Sequence, residues 1–269
     1  MTAPTLTETL PARETARSWW GDAWLVMTRE LTPTLRDPFS VVFGLVQPLV
    51  FLGLFGPLLA GSVGATVPGG DVWAWFVPGI LVMTTLFGTS TTGANLLFEM
   101  QTGAHERLLV TPLARSAQLV GRAGKEMAPV VAQSLLVVLV MLPFGFAPHP
   151  LGVLAGLVLL AVFGVGVGSL SYALAIAVRQ QDWMFWAVQQ TLLFPLLILS
   201  GMLLPLETGP RWMQVAADAN PLRYVVDAER ALFAGDLASA TVAWGAVAAA
   251  LTAALGLVVG VRTLSRSTR

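Results

Sequence analysis

The chain has 269 residues, 55% of them apolar and 11% charged, with fifteen Lys and Arg balanced by fifteen Asp and Glu. Soluble domains carry about a quarter charged residues, so this composition leaves too little charge for a water-facing surface and excludes an ordinary soluble domain. A net charge of zero gives no sign of a nucleic-acid partner, and the lack of cysteine excludes disulfides and thiolate metal sites.

Residues 1–15 are polar and read as a loose N-terminus. The charges spread over the first forty residues leave no apolar core of signal-peptide type, so no cleaved signal is expected. In residues 16–36, Trp20, Trp24, Met27 and Leu31 recur at helical spacing, and Arg17, Asp22, Arg29 and Glu30 supply polar faces. This suits an amphipathic helix lying in the cytoplasmic membrane interface. A helix packed on the soluble side of the protein is the alternative.

Charge then vanishes in long runs: Pro38–Gly70, Val72–Phe98, Met127–Val178, Trp183–Leu206 and Leu237–Val261. A crossing helix needs about 20 apolar residues. The runs lack the two-residue alternation of barrel strands, so an all-α polytopic membrane protein is expected. Six spans are placed at Val41–Ala60, Trp73–Leu96, Met127–Phe146, Leu151–Val178, Trp183–Leu204 and Ala240–Val261. Pro143, Pro148 and Pro150 divide the longest run into two. Residues 37–262 form one permease-like domain, followed by a tail over 263–269.

Arg and Lys flank these spans unevenly. The N-terminal segment, the loop after span two (Arg107, Arg115, Arg122, Lys125), Arg179 and the tail fall on one side. The other side has none in its first two loops, and in its third Arg211, Arg223 and Arg230 are outnumbered by acids, Glu229 among them. The positive-inside rule then puts both termini in the cytoplasm.

No span as drawn contains an ionisable side chain, which disfavours an ion-coupled carrier. The polar residues within spans are neutral: Gln47, the stripe Thr85, Thr89 and Thr92, and Gln189. They serve either as interhelical hydrogen bonds or as a translocation surface. The pairs Gly152 and Gly156, Gly164 and Gly168, and Gly256 and Gly260 have the spacing of close helix contacts. His105 and His149 stand apart from other ligands, and no metal site is expected.

The loop after span two contains Gly103, where the chain can turn, then Glu106-Arg107-Leu108-Leu109, a short amphipathic helix stopped by Pro112. It reads either as a docking edge for a cytoplasmic partner or as an ordinary solvated loop. Farther along, Arg223, Asp227 and Arg230 share a helical face on which Asp227 can pair with either arginine.

Here the sequence resembles the permease subunits of type 2 ABC exporters, in the daunorubicin-resistance branch. The matching residues are Gly103, Glu106, Arg107, Leu108, Leu109, Thr111, Pro112 and Arg115, then Gly121 and Arg122. A second group is Pro195, Ser200-Gly201, Pro205, Asn220-Pro221, Asp227, Arg230 and Gly235. Their order and spacing on the spans extend the resemblance over nearly the whole chain. It implies an interfacial N-terminal helix, six spans, a coupling helix between spans two and three, and short re-entrant helices within Leu206–Asp236. It also implies a separate ABC ATPase in two copies, which binds ATP and magnesium, and a second permease chain, identical or paralogous.

The segment Gly121-Arg-Ala-Gly-Lys-Glu126 is not a phosphate loop: its first spacing fails, and Glu126 stands where a hydroxyl must hold magnesium. No catalytic residue is expected in this chain. The cargo expected is a hydrophobic or amphipathic drug or lipid in the cell membrane, with a glycan exporter or a non-transporting scaffold as alternatives.

Overall fold

The computed structural model describes residues 19–36, 38–62, 71–102, 115–179, 181–206 and 209–266. In chain order these form α1 (Trp19–Arg36), α2 (Pro38–Ser62), α3 (Val72–Ser90), α4 (Thr92–Gln101), α5 (Arg115–Lys125) and α6 (Met127–Met141). A short 3-10 turn (Leu142–Phe144) leads to α7 (Pro150–Ala177), α8 (Asp182–Ile198), α9 (Arg211–Asp218), α10 (Pro221–Phe233) and α11 (Ala240–Arg266). No strand occurs among the described residues.

Four described stretches are long and apolar enough to cross a membrane: Val72–Gln101, Val120–Phe144, Pro150–Ala177 and Ala240–Ser265. The apolar stretch Gly44–Leu59 within α2 and the 17-residue α8 are shorter. Their outer faces carry exposed large apolar side chains, including Leu54 and Leu58 on α2, Leu139 on α6, Leu154 and Val158 on α7, and Trp244, Leu251 and Leu255 on α11. In water such surfaces drive association; in hydrocarbon they are the solvated face. The chain is a membrane protein.

Helix α3 is the centre of the packing. Asp71 caps its N-terminus by accepting hydrogen bonds from the Trp73 and Ala74 amides at 2.9 and 3.2 Å. Phe76, Val77, Ile80, Leu81 and Val82 are fully buried, and α2, α6, α7 and α10 pack around them.

Span two, expected as one helix, breaks at Thr91. The hydroxyls of Thr84, Thr85 and Thr89 donate to the carbonyls of Ile80, Leu81 and Thr85 at 2.8, 2.9 and 2.7 Å, a pattern that bends helices. Ser171 of α7 repairs the break: its hydroxyl donates to the Ser90 carbonyl and accepts from the Gly93 amide at 3.0 Å. Backbone freed inside a membrane needs such a partner. Span five also ends early. After Ile198 the chain turns through Gly201, whose φ of +70° is open to glycine, so the expected helix over Leu199–Leu204 does not form.

The most extensive helix pair is α7 against α11, and glycine permits it. A Cβ on Gly256 would sit 2.2 Å from the Gly166 carbonyl oxygen, whereas one on Gly53 would meet nothing within 4 Å. Gly256→Val is therefore expected to destabilise the chain by about 1–3 kcal/mol or more through overpacking, and Gly53→Ala to leave stability unchanged or slightly higher. Thermal unfolding of the detergent-solubilised variants checks both.

Candidate functional site

Two features converge where α4 and α5 meet: a buried cluster of charges and a polar cavity. The cluster begins with a close helix crossing. A Cβ on Gly121 would lie 2.5 Å from the Ala23 carbonyl oxygen, so glycine here lets α5 press against α1. That contact brings Glu30 of α1, Glu99 of α4, and Arg122 and Lys125 of α5 together. Arg122 Nη2 lies 2.6 Å from Glu99 Oε2 and 3.5 Å from Glu30 Oε1, and Lys125 Nζ lies 3.4 Å from Glu30 Oε2 and 3.9 Å from Glu126 Oε1. The Arg122 guanidinium also stands 5.9 Å from the ring centre of Tyr172 on α7, a cation–π contact. Arg122 is only 6% exposed. One buried arginine thus joins α1, α4, α5 and α7.

Arg122, Lys125 and Glu126 stand at the head of the helical run Val120–Phe144, ahead of its charge-free part from Met127, and they pair locally, which makes their burial tolerable.

The cavity, about 780 Å³, opens beside the cluster. Its wall includes Gln47 of α2, Phe87, Thr89 and Thr91 around the α3 break, Asn95 of α4, Gln133 of α6, and Trp186, Gln189 and Phe194 of α8, with Lys125 and Glu126 from the cluster. Of the five residues expected as a translocation surface, Gln47, Thr89 and Gln189 line it. Thr85 and Thr92 do not. The Thr85 hydroxyl is turned back on its own helix, and its methyl group faces Gly164 of α7. Gln189 is 8% exposed, and its Oε1 has no hydrogen-bond partner.

Residues Gly103, Glu106, Arg107, Leu108, Leu109 and Pro112, expected to couple to an ATPase, lie outside the described residues, as does His105. Arg115 is the first residue of α5. The helices on either side of 103–114 are described, and Glu99–Arg122 clamps them together at the base of that segment.

Toward the far end of the bundle, Asp227 stands between two arginines: Arg230 Nη1 is 3.3 Å from Oδ1, and Arg223 Nε is 3.9 Å from Oδ2. Arg223 also pairs with Asp218. Arg230 donates to the carbonyls of Trp75 at 3.0 Å and Gly201 at 2.9 Å, and lies 4.2 Å from the Trp75 ring centre. It locks α10 to α3 and to the turn after α8. Asn220 caps α10 through the Leu222 amide and donates to the Leu196 carbonyl at 2.7 Å.

Glu229 is a further correction. Counted in the sequence as a loop charge, it is fully buried on α10, both carboxyl oxygens lack hydrogen-bond partners, and Oε2 faces Gly156 of α7. Burial pushes this carboxyl up to about 8. The signal was present: position 229 continues the apolar stripe of Leu222, Val225, Val226 and Phe233. The charge cluster had a weaker signal, since Glu30 and Arg122 are far apart in the chain. Among the described residues no group of three metal-ligating side chains occurs.

A family model described as ABC-2 type transporter matches residues 22–234. The chain is 30% identical over 229 residues to the daunorubicin resistance ABC transporter permease protein DrrB1 of Streptomyces coeruleorubidus, covering 84% of this chain and 78% of that protein. It is 28% identical to the putative transport permease ycf38 of Pyropia yezoensis, over 77% of this chain and 72% of the relative. It is 24% identical to the probable doxorubicin resistance ABC transporter permease protein DrrC of Mycobacterium tuberculosis, over 83% and 81%.

Removing one partner of a buried ion pair strands the others, at a cost of about 3–5 kcal/mol. Arg122→Ala is therefore expected to lower stability by that amount, because it leaves Glu99 and Glu30 facing each other's charge. Arg122→Ala combined with Glu99→Ala should recover part of the loss. Unfolding of Arg122→Ala, Glu99→Ala and the double variant beside the parent chain closes the cycle; losses that simply add would mean the pair is not coupled.

Proposed function

This chain belongs to the ABC-2 type transporter family, and from that premise we propose that it is the membrane-spanning permease of an ATP-driven exporter. The cargo is a hydrophobic or amphipathic compound, a drug or a lipid, moved out of the cytoplasm or inner leaflet. The relatives named for daunorubicin and doxorubicin resistance favour a drug over a glycan. On this reading α2 and α8 join the four longer stretches as spans one and five. Helix α1 lies in the cytoplasmic interface with Trp20 and Trp24 outward, which agrees with their exposure while Ala23 and Val26 are buried. Helices α9 and α10 are the re-entrant pair between spans five and six, and both termini are in the cytoplasm of the cell.

The observation that carries the mechanism is the sharing of residues between cluster and cavity. Residues 103–114 are the coupling segment, with Glu106, Arg107 and Leu108 seated on an ATPase subunit. A displacement of that segment moves α4 and α5, which the Glu99–Arg122 pair holds together. Lys125 and Glu126, next along the same helix end, line the cavity wall. The movement therefore reaches the cavity wall through the end of α5. Two ATPase copies and a second permease chain, identical or paralogous, complete the exporter. ATP and magnesium bind to the ATPase subunits, and their binding shifts the permease between two arrangements only through contacts that differ between the two.

The test is co-purification. The chain should capture an ABC ATPase expressed with it, and drugs added to the reconstituted complex should stimulate ATP hydrolysis. Glu106→Ala with Arg107→Ala should lose both capture and stimulation. A double variant that binds and exports normally contradicts the coupling assignment.

A further inference from the structure

Glu229 belongs neither to the cavity wall nor to the charge cluster. It is fully buried, and among the described residues neither carboxyl oxygen has a hydrogen-bond partner. Asp227, two residues earlier on the same helix, shows the usual arrangement, an acid held between two arginines. The packing around Glu229 is close. A Cβ on Gly156 would lie 2.4 Å from its Oε2 and 2.7 Å from the Phe233 ring, and one on Gly152 would lie 1.8 Å from the Leu232 carbonyl oxygen. Helix α7 thus meets α10 over two glycines a turn apart, and the bare carboxyl is pressed into that joint.

Burial acts on this carboxyl with no neighbouring charge to offset it. Helix α3 has no ionisable side chain, and Asp71 before it is taken up in capping. Helix α11 has none before Arg262, and α7 has only Tyr172, beside Arg122. On α9, Asp218 pairs with Arg223 and Arg211 is exposed. On α10 itself, Arg223 and Arg230 are engaged with Asp227, and the Tyr224 hydroxyl donates to the Asp218 carbonyl. One more titratable group adjoins α10: the ring of His149, which lies against Gly235 just past the helix end. A carboxylate left bare in such a place is strongly disfavoured, and the group takes up a proton instead. A proton is also the one cation that so close a contact admits.

We propose that Glu229 is a proton-binding latch: with its proton it lets α10 seat against α7, and without it α10 is released. The proposal does not rest on the exporter reading. Arg230 ties the same helix to α3 and to the turn after α8, so the seating of α10 decides whether that end of the bundle is closed. In an exporter this makes the outer end of the bundle sensitive to proton concentration.

The sign follows from counting protons. The seated carboxyl keeps its proton up to about pH 8, an exposed one only to about pH 4.3. Between these values seating takes up a proton, so it is strongest in acid and weakens by about tenfold per pH unit as pH rises. Above the upper value both forms are ionised and the dependence ends.

Nitroxides at Leu154→Cys on α7 and Ala234→Cys at the end of α10, both exposed positions, report the seating by pulsed electron double resonance. The sample is the purified full chain in phosphatidylcholine nanodiscs. The parent pair should show one distance in acid and a growing longer component as pH rises. Glu229→Gln, neutral at every pH, should hold the acid distance throughout, and His149→Gln should follow the parent. A parent distribution unmoved by pH, a shift that Glu229→Gln shares, or one that His149→Gln abolishes overturns the proposal.

Infrared titration reads the proton itself. The unaltered chain should keep a protonated-carboxyl carbonyl band above about pH 6, past the ordinary carboxyl range, and Glu229→Gln should lose it. Absence of such a band, or a band that the substitution leaves untouched, overturns the proposal. Neither readout involves the ATPase, so failure here leaves the exporter reading as it stands.

Discussion

A hydrocarbon solvent offers no partner to a polar group, and this one constraint shapes the molecule. Apolar side chains can face outward freely, so α6, α7 and α11 show Leu and Val to their surroundings. Every interruption of a helix has to be closed from within the protein. Ser171 closes the break at Thr91, Asn220 reaches the Leu196 carbonyl beyond its own helix cap, and Arg230 takes the carbonyls of Trp75 and Gly201. These are long-range contacts between polar groups, and each ties one helix to another. In lipid, satisfying the backbone and fixing the tertiary arrangement become the same task.

The same constraint explains how charge is distributed. Arg122 is tolerated inside a packed bundle because two carboxylates and an aromatic ring surround it. Asp227 is held by two arginines. Glu229 has no such company and lies fully buried, its carboxyl in space that a glycine on α7 leaves open. Close packing against glycine recurs where backbones cross: Gly121 beneath α1, and Gly166 against Gly256. Gly256 and Gly152, both in pairs marked in the sequence, belong here, a Cβ on Gly152 falling 1.8 Å from the Leu232 carbonyl oxygen, while a Cβ on Gly168 would meet only ordinary contacts. Spacing alone did not separate them, because it shows which glycines share a face and not which face another helix approaches.

The membrane class, the all-helical fold and the positions of the long helices were legible because charge-free length is a local property of the chain. The break at Thr91 was half legible: the run of Thr and Ser was visible, but its bending effect depends on which hydroxyls turn back to their own helix, and its repair depends on Ser171 in α7. Gln47, Thr89 and Gln189 line one cavity, and Thr85, one helical turn from Thr89, does not, although the methyl groups of both threonines face Gly164 of α7. A stripe on a helix does not reveal where one neighbour ends and a cavity begins. The cluster around Arg122 was hidden for a different reason, since its members come from four helices spread along the chain. The segment with the strongest family resemblance, residues 103–114, lies outside the described residues, so its proposed role rests on sequence and on the clamp at its base.

The claim beneath all of this is that uncharged segments lie in lipid with their flanking arginines on one side. The chain has no cysteine, so single cysteines report without background. In intact cells, an impermeant thiol reagent should label Ala65→Cys and Gly209→Cys from outside, and should reach Glu106→Cys and Thr268→Cys only after the membrane is opened. Labelling of Glu106→Cys in intact cells, or of position 268 and position 106 from opposite sides, would contradict the account.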